Sequence, residues 1–362
     1  MKKREYNYEW LRVCAMLAVI MIHVSAHWVS GFSAAVRDGA KAGELINPLS
    51  ACIYNSICRF AVPCFLMISG AFIIDNDKNA DYVTFYKKSF MKIGITTIIF
   101  SILYCLKKVT EACIGGYLGA KAIWAIVIDA ISGVPYYHMW YLYMLIGVYM
   151  LAPFVIIIKN AITYKHFRIA AIVFLVYSIV SAWTNHGGSV SWDIGNSVYY
   201  FGYFMIGYVL RKEAKKDTLR GICLIAIGIL VEIIIAFVEY HFQIVNGIAE
   251  AKLNFQIVSP LSPQVALASV LIFAGVSRIE LNENKLIAVI AKMSFVIYII
   301  HGGVWGMVRM IVGKLKDDSY LFHDSNIAAI PIFVIIVFVI SFVLAIIYEK
   351  FYAVILKCVG KK

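Results

Sequence analysis

Charge is scarce in this 362-residue chain: Asp, Glu, Lys and Arg together supply 15% of it, against 62% hydrophobic residues. A water-soluble domain carries about a quarter charged residues. A soluble enzyme or a disordered tail is therefore excluded, because its surface could not be kept in water. No hydrophilic stretch is long enough for a second domain, and repeats and low-complexity tracts are missing too. The eight cysteines (Cys14, Cys52, Cys58, Cys64, Cys105, Cys113, Cys223 and Cys358) include no C-x-x-C and no Cys/His pair at zinc spacing. Neither a disulfide framework nor a metal site is expected, and the cysteines read as small buried hydrophobes.

What is present in quantity is apolar sequence. A membrane-crossing helix needs about 20 mostly apolar residues. Ten stretches qualify: 11–29, 51–74, 90–113, 138–158, 168–184, 197–210, 221–242, 258–278, 286–311 and 328–352, the fifth and sixth being the weakest. A shorter one, 122–132, carries Asp129 and suits an interfacial or re-entrant helix. The expected fold is an all-α polytopic membrane protein, a bundle of about ten transmembrane helices, with residues 1–362 forming one membrane domain.

The net charge of +12 would point to nucleic acid in a soluble protein; here it reports topology. Alternate loops carry 21 Lys and Arg on one side and 9 on the other. By the positive-inside rule both termini are cytoplasmic. Lys2-Lys3-Arg4 ahead of an apolar run has the look of a signal peptide, but Arg12 and His23 interrupt that run and cleavage is not expected.

Ionisable side chains at membrane depth cost at least about 2.5–3.5 kcal/mol each, so they face a bundle interior or a wet cavity and invite a functional reading. Glu9, Arg12, His23, Arg59, Glu232, Glu239, Lys292 and His301 are of this kind. Glu9, Arg12 and Lys292 lie near cytoplasmic ends and can snorkel. His23, Arg59, Glu232 and His301 cannot easily do so. Arg12 and His23 are about 16.5 Å apart along one helix and lie on nearly the same face. Taken alone, a snorkelling arginine and a hydrogen-bonded histidine explain that pair equally well. Pro63 and Pro153 are expected to kink their helices and leave carbonyls unpaired, which a membrane tolerates only against protein or water.

Four stretches, in order, resemble the acyltransferase-3 family of integral membrane acyltransferases. Tyr8-Glu9-Trp10-Leu11-Arg12 running to Ile20-Met21-Ile22-His23 is similar to the family's opening arginine and histidine. Arg59 through Pro63 to Ser69-Gly70 resembles its second helix. His138-Met139-Trp140-Tyr141-Leu142 resembles its histidine-aromatic stretch, and Met293-Ser294 through Tyr298 to His301 its late Ser/Tyr/His helix. The family's arginine-rich stretch at the third helix is replaced by Lys87-Lys88-Ser89-Phe90-Met91-Lys92, which keeps positive charge but loses bidentate phosphate geometry.

The resemblance implies transfer of an acyl group, usually acetyl, from cytoplasmic acyl-coenzyme A to a hydroxyl of a cell-envelope glycan or its lipid-linked precursor. The surface-polysaccharide O-acetyltransferase branch is the nearest, in a bacterial-type cytoplasmic membrane. Such chemistry needs a base, an oxyanion site and a site for the cofactor's phosphates. His23 is assigned as the base. Arg12, with Glu9 one turn earlier to orient it, is assigned to acyl-coenzyme A, with Lys87, Lys88 and Lys92 as long-range attraction or as ordinary positive-inside lysines. Arg59 either stabilises the oxyanion or pairs with Glu232 to hold two helices in register. His138, Trp140, Tyr141 and His301 are assigned to the acceptor, although Trp and Tyr also mark membrane interfaces. Ser294 and Tyr298 read as packing hydrogen bonders. The implied partners are acyl-coenzyme A, the glycan or lipid-linked sugar, the bilayer and possible further copies of the chain, with no nucleic acid and no metal. The alternative is a small-solute transporter, or the membrane half of a vancomycin-resistance-type serine racemase, whose soluble domain this sequence lacks. Against transport, no pair of matched interrupted helices or inverted repeat is visible.

Overall fold

The computed structural model describes residues 5–184, 197–248, 257–315 and 326–358. Lys2, Lys3, Arg4, Lys252, Lys316, Lys361 and Lys362, which entered the loop count, lie outside the described residues. Among the described residues there are helices and no strands. In hydrocarbon only a helix or a closed barrel satisfies every backbone polar group, and apolar runs of this length take the helical solution. Among the described residues, eight helical segments are long and apolar enough to cross a membrane, one of them, Pro48–Ile73, being made of two helices. The other two expected spans are shorter helices, Ser197–Glu213 and Pro263–Arg278. The stretch 122–132 falls on the 12-residue helix Ala120–Ile131.

The chain divides into two compact units, residues 1–65 with 214–362, and residues 66–213. In chain order the helices are α1 (Tyr6–Arg37), α2 (Pro48–Ser56), α3 (Ala61–Ile73), α4 (Tyr82–Ser89), α5 (Ile95–Ile114), α6 (Ala120–Ile131), α7 (Trp140–Ala161), α8 (Tyr164–Thr184), α9 (Ser197–Glu213), α10 (Thr218–Glu239), α11 (Pro263–Arg278), α12 (Lys285–Leu315) and α13 (Asn326–Cys358). Single π-helical stretches follow α4 at Phe90–Gly94 and α10 at Tyr240–Val245.

In the first unit α1 packs against α2, α12 and α13, and α10 against α2 and α11. The start of α1 is tied down by polar side chains. Asn7 Nδ2 donates to the Val276 carbonyl at 2.8 Å, and the Tyr8 hydroxyl to Ser277 Oγ at 2.9 Å. The outer face of α13 presents Ile332, Ile335, Val339, Val343 and Ile347, all exposed, an apolar stripe suited to lipid contact. The second expected span is not one helix. Pro63 has no N–H to bond the Arg59 carbonyl, and its ring crowds that carbonyl. The chain accordingly makes a turn over residues 57–60, placing Arg59 at the break between α2 and α3. Pro153, in contrast, leaves α7 running unbroken.

In the second unit α3 and α9 touch backbone to backbone. A Cβ on Gly70 would lie 1.7 Å from the Phe204 carbonyl oxygen, and one on Gly207 2.1 Å from that of Met67. No side-chain movement relieves a clash with backbone. Gly70→Ala is therefore expected to cost about 1–3 kcal/mol and lower the melting temperature in detergent, whereas Gly31→Ala, with nothing within 4 Å, should leave it unchanged or slightly raised. At one end of this unit the basic loops meet acidic partners: Lys159 with Asp77 at 2.6 Å, Arg211 with Asp75 at 3.1 Å and Arg168 with Glu213 at 3.2 Å. Asp81 caps α4 by accepting from the Thr84 hydroxyl and amide, which holds its carboxyl below the usual carboxylate range.

The cysteines depart from the expectation of buried hydrophobes. Cys52, Cys58 and Cys64 are buried, but Cys14, Cys113 and Cys223 are exposed and Cys105 is half-buried. On an apolar helix an exposed position faces lipid, where a small thiol is as acceptable as in a core.

Candidate active site

All eight ionisable residues singled out at membrane depth fall in the first unit, among them Arg12 and His23 on α1, Arg59 at the α2/α3 break and His301 on α12. The two histidines meet face to face. Their ring centroids are 5.2 Å apart with planes inclined by 28°, although 278 residues separate them. His301 is fully buried and His23 half-buried. His301 Nδ1 bonds the Tyr298 carbonyl of its own helix. A carbonyl can only accept, so the ring proton is on Nδ1, and in the neutral ring Nε2 is the accepting atom. Ser294 donates to the Ala291 carbonyl of its own helix at 2.8 Å.

Arg59 reaches the same segment of α1 through Asn55, one turn before it. The guanidinium donates to Asn55 Oδ1. Asn55 Nδ2 in turn lies 3.2 Å from both the Ile22 carbonyl and Ser25 Oγ, the neighbours of His23 on α1. A chain of hydrogen bonds thus joins the break in one helix to the histidine-bearing turn of another. Glu232 of α10 is fully buried. Its carboxylate interacts with the Arg59 charge and the Phe60 backbone amide. Yet neither oxygen makes a well-formed hydrogen bond among the described residues, and Arg59 Nε makes none either. Of the two alternatives for Arg59, the direct ion pair with Glu232 is not formed: the two are electrostatic neighbours with buried polar atoms left over, the kind of perturbed charge cluster found at functional sites. Two turns further along α10, Glu239 accepts from Ser56 Oγ at 2.8 Å, just ahead of the π-helical stretch.

Arg12 and Glu9 lie on the first turns of α1, both half-buried, and Lys292 is exposed on α12. The remaining assigned residues belong to the second unit. His138 is fully buried, ringed edge-on by Tyr104, Tyr136 and Tyr137 at 5.4, 5.6 and 5.2 Å. Trp140 packs on Tyr200 at 5.7 Å, and Tyr141 is buried. Lys87 and Lys88, in the last turn of α4, and Lys92, in the π-helical stretch, are exposed.

The sequence profile of the Acyltransferase domain family matches residues 5–348. The chain belongs to the acyltransferase-3 family. It is thus a multi-pass membrane acyltransferase, as its four motif stretches imply. No curated protein and no solved structure gives a significant match. Within this acyltransferase Asn55 and Glu239 join the site through contacts that their place in the sequence does not announce. An asparagine one turn before an intramembrane arginine was the available signal for Asn55, because a buried amide in an apolar span needs partners.

Proposed function

We propose that the protein moves an acyl group, acetyl before longer chains, from cytoplasmic acyl-coenzyme A to a hydroxyl of a cell-envelope glycan or lipid-linked precursor. The reading places it in a bacterial-type cytoplasmic membrane with ten spans and cytoplasmic termini. The observation that carries it is the stacking of His23 on His301 beside the Asn55–Arg59 chain in a member of an acyltransferase family.

In this reading His23 takes the proton of the acceptor hydroxyl as its oxygen attacks the thioester carbonyl. Arg59, positioned by Asn55, stabilises the oxyanion that forms. Collapse of that intermediate breaks the carbon–sulfur bond, and His23 returns the proton to the departing thiolate. Arg12, oriented by Glu9, holds the phosphates of acyl-coenzyme A, and Lys87, Lys88 and Lys92 raise its local concentration. His301 contacts the acceptor.

The test is incubation of purified protein with isotope-labelled acetyl-coenzyme A and envelope glycans, read as ester formation, with serine uptake into proteoliposomes as the competing outcome. Uptake without ester formation would overturn the proposal. On the donor side, Arg12→Ala is expected to weaken acetyl-coenzyme A binding about tenfold or more. Added salt should weaken it further by screening the exposed lysines. Unchanged affinity by calorimetry in both cases would remove this group from the site.

A further inference from the structure

His27 lies one turn beyond His23 on α1, about 6 Å further along the helix, and the mechanism above does not use it. Side-chain pairs rise together along the seam between α1 and α12. His23 meets His301, and one turn on, His27 meets Trp305 with ring centroids 6.2 Å apart and Arg309 with Nη1 3.4 Å from Nδ1. Trp28 and Trp305, both buried, stack at 6.4 Å and wall this end of the seam.

The His27–Arg309 bond has a definite sense. A guanidinium can only donate, so His27 Nδ1 accepts, and the ring making that bond is neutral with its proton on Nε2. The guanidinium keeps N–H groups beyond the one that His27 accepts. Arg309 is exposed, and among the described residues no carboxylate lies within 4.0 Å of it. A guanidinium held in place by an uncharged acceptor, with its fork still open, suits the paired oxygens of a phosphate or carboxylate.

We propose that Arg309, held by His27, binds an anionic oxygen group, phosphate or carboxylate, carried by the acyl acceptor, and so brings its hydroxyl toward His23. The assignment to the acceptor rests on the acyl-transfer reading. That reading gives the donor's phosphates to Arg12, 11 residues and about 16.5 Å before His23 along α1, so the helix holds one anion on each side of its catalytic histidine.

The test is a titration of the protein in zwitterionic phosphatidylcholine nanodiscs with two probes, N-acetylglucosamine and N-acetylglucosamine 1-phosphate. The phosphorylated sugar is expected to bind at least about tenfold more tightly. Arg309→Gln should erase that preference, Arg309→Lys should keep part of it, and His27→Phe, which cannot accept the guanidinium's bond, should reduce it several-fold. Failure of the sugar phosphate to bind, equal affinity for both probes, or a preference that survives Arg309→Gln overturns the proposal. Nanodiscs doped with anionic phosphatidylglycerol separate the sources. A retained advantage supports the acceptor, whereas an advantage abolished by the lipid shows that Arg309 serves a headgroup and overturns it. No turnover is needed, so this outcome is distinct from failure of the acyl-transfer reading, which would show as no labelled acetyl transferred to any glycan.

Discussion

Replacing His23 by alanine is expected to lower acyl transfer from labelled acetyl-coenzyme A by about 10²–10⁴-fold, the span a positioned general base contributes, while the protein still inserts and melts cooperatively. A sugar hydroxyl does not ionise near neutral pH, so attack needs a group that accepts its proton, and an imidazole with an ordinary pKa of about 6.5 can do so. The fold supports this residue in two ways: His301 stacks on the ring, and Asn55 holds the turn of α1 that carries it by bonding the Ile22 carbonyl and Ser25 Oγ. Such support fixes orientation, which a base requires and a space-filling ring does not. Wild-type turnover in His23→Ala would remove the base role outright.

Arg59→Met is expected to lose about 10²–10³ in turnover with a modest change in melting temperature, as when an oxyanion-stabilising donor is removed. Glu232→Gln should not rescue it. A true buried ion pair predicts the opposite pattern. There, removing either partner strands the other charge at a cost of about 3–5 kcal/mol, and removing both restores stability. The geometry favours the first pattern. Arg59 gives a hydrogen bond to Asn55, not to Glu232, and both oxygens of Glu232 are left without a well-formed hydrogen bond among the described residues. Turnover and melting temperature measured for Arg59→Met, Glu232→Gln and the double variant decide between the two. Recovery of both quantities in the double variant would make the pair structural and take Arg59 out of the chemistry.

The sequence by itself determined that this chain is helical and membrane-bound, because apolar runs with little charge have no other stable backbone arrangement in hydrocarbon. It also marked His23, Arg59, Glu232 and His301, because ionisable groups in such runs are costly and stand out from their surroundings. The weakness of the sixth span had a physical cause. α9 carries Tyr200, Tyr203 and Tyr208, all buried, and a helix enclosed by protein does not need the unbroken aliphatic sequence that lipid contact demands.

Only the tertiary structure decided which of these groups meet. Helical periodicity fixes the face on which a residue lies but not the helix that face will touch, so the stacking of His23 on His301 and the seating of His27 against Arg309 had no local signature. The break at residues 57–60 was half legible, since Pro63 announced it. That it would turn Arg59 toward Asn55 rather than into an ion pair with Glu232 depended on how α2 and α10 pack. Likewise nothing in the local sequence shows that α3 and α9 cross at Gly70 and Gly207 with no room for a Cβ. In each case the deciding quantity is a distance between segments remote in the chain, set by packing and not by the local run of residues.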